Sequence, residues 1–154
     1  FKQKTAYEIP KRDWSSDVCS SDLEDRPNYA AGKKSGRLEP EINANIRANV
    51  AEWAVAKQYN LPWNVPWYPN ELHKQRKDIP DVGDFEVRTV RTQPAIPFWK
   101  KDIGRIVYGV KVLDEEYFSV VEIYGWFEAN KFMTDEYVDK GIDGWRVPVA
   151  LLEV

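Results

Sequence analysis

The chain holds one cysteine (Cys19), one histidine (His73) and one methionine. A lone cysteine cannot close an internal disulfide, and a chain so poor in cysteine and histidine cannot build the soft ligand sets of structural zinc sites. That scarcity fits a reducing cytosol. No apolar run approaches the roughly 20 residues needed to cross a bilayer, so a soluble protein without a membrane partner is expected. A basic excess is missing too. Lys and Arg number 22 against 25 Asp and Glu, for a formal net charge of −3, and nothing in that balance advertises nucleic-acid binding. Aromatic residues, by contrast, are plentiful, with seven tryptophans.

Residues 1–23 stand apart from the rest. Lys2 to Ile9 and Arg12 to Leu23 read codon for codon as the two ends of a common short-read library adapter, in one frame and separated by an interval of index length. This segment resembles translated sequencing adapter, which implies a metagenomic source. It is expected to have no packed role, and it takes Cys19 and Trp14 out of any functional argument. A secretory leader is not expected here, because Lys11-Arg12-Asp13 sits where its apolar stretch should be. The segment's basic and acidic residues cancel, so residues 24–154 keep the net charge of the whole. Their length suits one domain with a single core.

Residues 24–40, with Pro27, Gly32 and Gly36, read as a flexible entry segment, and residues 41–154 as one domain. Ile42, Ile46, Val50, Trp53 and Ala54 recur at three- and four-residue spacing, which predicts an amphipathic helix over 41–59 stopped by Asn60 and Pro62. An aromatic, proline-studded loop follows (Trp63, Pro66, Trp67, Tyr68, Pro69), then a basic stretch around His73. Phe85, Val87 and Thr89 alternate with Glu86 and Arg88, the period of a strand. Pro94 and Pro97 are expected to break the chain. A hairpin is predicted from strands over 105–113 and 117–124 around an acidic tip, then a short helix over 126–132 and a last strand over 145–149. The order predicts an α/β (α+β) fold with a mixed central sheet and the N-terminal helix packed on it.

Asp81-Val82-Gly83-Asp84-Phe85-Glu86-Val87-Arg88 carries the chemistry. On a strand, Glu86 and Arg88 point to one face, and an acid just before the strand can turn in beside them. Carboxylates next to a cation are the minimum for holding a divalent ion against a phosphodiester. The same residues also suit an ordinary ion pair on a strand, and Glu52 the polar face of its helix.

In this order of motifs the chain resembles the PD-(D/E)XK nuclease superfamily, the restriction-endonuclease-like fold, and within it small phage-type members. The resemblance lies in Glu52 within Ala51-Glu52-Trp53-Ala54, in Pro80-Asp81, in Glu86-Val87-Arg88, and in the later Gly125-Trp126 and Val147-Pro148. It implies a restriction-endonuclease-like sheet and DNA hydrolysis with Mg²⁺ (or Mn²⁺) in the cytoplasm of a bacterial host cell. Asp81, Glu86 and Glu52 are then the implied metal ligands, and Arg88 the catalytic cation. The first acid is Asp81 or its rival Asp84. Arg88 stands where the family has lysine, and arginine cannot give up its proton at cellular pH. The competing reading is a non-catalytic phage accessory protein of the same fold that binds nucleic acid or a host protein.

Lys100 and Lys101 beside Trp99, with His73, Lys74 and Arg76 in the basic loop, are the candidate nucleic-acid contacts. A homo-oligomer is compatible with the sequence.

Overall fold

The computed structural model describes residues 5–8, 41–64, 79–114 and 116–154. Its elements, in chain order, are β1 (Thr5–Glu8), α1 (Glu41–Tyr59), β2 (Phe85–Thr89), β3 (Ala95–Phe98), β4 (Ile106–Val112), β5 (Val120–Glu128), α2 (Ala129–Phe132), β6 (Val138–Asp139) and β7 (Gly144–Pro148). His73, Lys74 and Arg76 lie outside the described residues, as do Trp67, Tyr68 and the entry segment.

Helix α1 occupies the predicted span. Its buried stripe of Val50, Ala51, Ala54 and Val55 is small, so the helix can lie close on a sheet. It stops at Asn60, which takes a left-handed φ of 53°, while the Leu61 N–H donates to the Ala56 carbonyl at 2.8 Å. Asparagine tolerates that conformation better than most residues.

The main sheet runs in the order β1-β5-β4-β2, and a smaller one in the order β3-β7-β6. β2 is parallel to β4, with Glu86 opposite Val107 and Arg88 opposite Gly109, whereas β4 and β5 are antiparallel. The central sheet is therefore mixed, with the N-terminal helix on it, as the element order predicts. Val87, Tyr108, Val110, Val121 and Ile123 pack with α1 in one core cluster. Val107 and Phe127 join Ile96, Phe98, Val147 and Leu152 in a second. Because neighbours on a strand face opposite ways, the main sheet is a middle layer, with α1 on one side and the small sheet on the other.

Three local expectations need correction. The region expected as a helix over 126–132 is strand as far as Glu128, and only Ala129–Phe132 is helical. A bulge at Gly125 is the reason. The pairing register shifts between Gly109 and Val110, so Ile123 and Trp126 pack toward α1 while Tyr124 and Phe127 pack toward the small sheet. The two-residue period breaks there, and the apolar spacing imitates a helix. Gly125 has φ +131°, and a Cβ on it would lie 2.2 Å from the Glu153 carbonyl.

Pro97 does not break the chain either. It sits in β3, an edge strand paired only with β7, where a missing N–H donor is tolerated.

Nor is the adapter-like segment wholly unpaired. Thr5–Glu8 pairs antiparallel with residues 120–123 of β5. Backbone donors and acceptors on an open sheet edge are the same whatever side chains they carry, so sequence origin says little about such pairing. Among the described residues, no helix is long and apolar enough to cross a membrane.

Candidate functional site

Arg88 is the centre of a charged cluster at the outer edge of β2. Its Nη2 donates to Glu86 Oε2 at 2.8 Å and to Asp102 Oδ1 at 2.7 Å, and its Nη1 to Asp81 Oδ2 at 3.2 Å and to the Val87 carbonyl at 3.0 Å. Its Nε is buried without a partner among the described residues. The Trp99 ring lies 5.7 Å from the guanidinium carbon. Arg105 engages the other oxygen of Glu86. Glu86 and Arg88 thus share one face of their strand as their spacing predicts, and Asp81 turns in beside them.

Local structure explains these placements. Asn64, just after α1, donates from Nδ2 to the carbonyls of Pro80 and Gly83, and its backbone N–H donates to the Asp81 carbonyl. Those bonds pin the 80–83 turn under the helix end. Gly83, with φ +54°, lets the chain reverse there. Asp81 Oδ2 also accepts the Val87 N–H at 2.9 Å, satisfying a donor on the free edge of β2. Asp84 is exposed in the turn, so Asp81 is the acid that joins the cluster.

Glu52 enters from the helix. It is buried, and its Oε2 accepts the Trp63 indole N–H at 3.1 Å. Burial, reinforced by the charge of Asp81, pushes its carboxyl up to about 8; the Trp63 hydrogen bond and Arg88 act the other way.

Glu52, Asp81, Arg88 and Lys101 line one cleft of about 440 Å³, closed on its other sides by Ala48, Val87, Thr89, Pro97 and Trp99. β2 is the edge strand, so the cleft reaches from the helix layer round to the small-sheet layer. Lys100, its exposed neighbour, does not line it.

Glu86 is absent from the cleft lining, and both its oxygens are held by arginines. The expected ligand trio of Asp81, Glu86 and Glu52 does not form a single set: no group of three or more ligating side chains occurs among the described residues. The cation between Asp81 and Glu86 is the Arg88 guanidinium itself. Two carboxylates remain in the cleft. Glu52 Oε1 and Asp81 Oδ1 have no hydrogen-bond donor among the described residues. Hard carboxylate oxygens are what Mg²⁺ takes, one or two at a time, with waters and phosphate oxygens filling its other places.

Sequence reasoning missed Asp102, Arg105, Asn64 and the pairing of Trp63 with Glu52. Asp102 is fully buried, and its Oδ2 accepts the Trp99 N–H at 2.9 Å. The run Trp99-Lys100-Lys101-Asp102 contained the signal, because an acid three residues beyond a turn start commonly folds back on the backbone. Neither a family model, nor a curated protein, nor a solved structure matches the chain.

Proposed function

We propose that the chain is a small PD-(D/E)XK-like hydrolase of phage or mobile-element origin that cleaves DNA phosphodiesters with Mg²⁺ or Mn²⁺, in the cytoplasm of a bacterial host. One observation carries the reading: Glu52 from the helix and Asp81 from the turn before β2 line the same cleft as Arg88 and Lys101. Hard oxygen donors and fixed positive charge are then side by side, which is what a phosphodiester needs.

Glu52 and Asp81 would hold the ion, whose chemistry is Lewis-acid polarisation of a phosphoryl oxygen. Arg88, held in place by three carboxylates, offsets negative charge building on the phosphate. It cannot act as a base. Lys101, exposed at the rim, supplies a second cation that can move to the substrate. Glu86 works through Arg88, as a positioning residue. Water adds to phosphorus and gives up one proton to solvent, the bond to the leaving oxygen breaks, and that oxygen departs with a proton taken from solvent.

Incubating the full chain with plasmid and with single-stranded DNA tests this, with Mg²⁺, Mn²⁺ or EDTA, beside Glu52→Gln and Asp81→Asn. Cleavage that needs metal and falls at least a hundredfold in both folded variants is expected. Cleavage unaffected by either variant, or absent with both metals, overturns the hydrolase reading.

The second reading, a non-catalytic accessory protein that binds nucleic acid or a host protein, has its own observation. Both oxygens of Glu86 and three bonds of Arg88 close on other side chains, as in a structural ion-pair network.

A further inference from the structure

A second hollow, of about 230 Å³, opens where the chain leaves β2. It is lined by Thr89, Val90, Arg91, Thr92, Gln93, Ala95, Pro97 and Arg146. Its walls differ from those of the charged cleft: two arginines, two threonines and an amide, with no carboxylate among the described residues. Arginine forks, hydroxyls and amides are the donors that match phosphate oxygens. Asp139 engages Arg146 through Nε, and among the described residues neither Nη of Arg146 has a carboxylate partner. Aspartate therefore holds the guanidinium in place without covering the end that donates in pairs.

Thr89 and Pro97 line both hollows, so the two are neighbours at the end of β2. Arg88 and Lys101 line the first, Arg91 and Arg146 the second.

We infer that the hollow at Arg146 is a phosphate subsite that holds a nucleic-acid strand one or more nucleotides away from the phosphodiester in the main cleft. The inference rests on the proposed reading of that cleft for the order of the two sites, but the binding itself does not depend on cleavage. The subsite reads backbone charge, not bases, and sets the path of the strand along the edge of β2.

Anisotropy of a fluorescein-labelled oligothymidylate, titrated with the full chain in EDTA over a range of salt, reads binding with no hydrolysis. Thr92→Glu places a negative charge at the exposed rim, and Arg146→Gln removes a donor. Each is expected to weaken binding and to make the slope of log affinity against log salt shallower by about 0.7, one single-strand phosphate contact. Arg146→Lys should restore most of the slope. If Arg146→Gln fails to fold, Thr92→Glu decides, since its position is exposed. A slope unchanged in Thr92→Glu, or no binding by the unaltered chain, overturns the subsite. A chain that binds with the expected slopes but never cleaves keeps the subsite and loses the hydrolase reading.

Discussion

Arg88 and Asp102, fourteen positions apart in sequence, meet at 2.7 Å, with the aspartate wholly removed from solvent. The contact ties β2 to the turn that follows β3, and so joins the two sheets on the side where the cleft opens. Asp102 also holds the Trp99 N–H, which fixes one wall of that cleft.

Asp102→Ala is therefore expected to lower stability by about 3 kcal/mol, because it strips a largely covered guanidinium of one counter-charge and orphans a backbone donor. Urea unfolding followed by tryptophan fluorescence measures it. A loss below about 1 kcal/mol would show that Glu86 and Asp81 alone satisfy Arg88.

Arg88→Lys keeps the charge yet is expected to cost about 1–3 kcal/mol. A compact ammonium cannot serve Asp81, Glu86 and Asp102 together as the planar fork does. The same unfolding assay reads this change. A lysine variant as stable as the parent would mean that the three-way clamp contributes little.

Stability in metal-free buffer should fall as pH rises from about 4.5 to about 8 through Glu52. The folded state holds this proton more tightly than the unfolded chain, so its contribution is complete below the unfolded value and is lost as pH climbs through the folded one. The size is on the order of a few kcal/mol. In Glu52→Gln this part of the slope should vanish, and thermal melts of both proteins across that pH range decide it. Parallel profiles would remove Glu52 as the source.

Gly125→Ala is expected to destabilise the fold by about 2 kcal/mol or more, since the added carbon meets the Glu153 carbonyl and the φ of +131° disfavours any L side chain. Trp126 and Glu153 exchange two backbone hydrogen bonds, and hydrogen exchange at these amides should rise first. Unchanged protection there would contradict this account.

The sequence showed α1 to the residue, the mixed sheet, and the shared face of Glu86 and Arg88, because each depends on periodicity within a few residues. Asp81 was legible as a neighbour of that face for the same reason. Glu52 could be named from the motif order, but its burial could not. That burial depends on Trp63 and on the Asn64 clasp, both contacts made across a loop. Asp102 and Arg105 come from beyond β3, and no local pattern says that a chain leaving one sheet will return a carboxylate to the other. The β5 bulge hid a strand by breaking its period at one glycine.

β1 shows how undemanding an open sheet edge is. A stretch whose codons resemble library adapter lies in register along β5, through bonds available to any extended backbone. Anything joined ahead of this domain, a purification tag or a linker, is therefore a competitor for that edge. The choice of such a leader will bear on whether copies of the protein stay apart in concentrated solution or line up edge to edge.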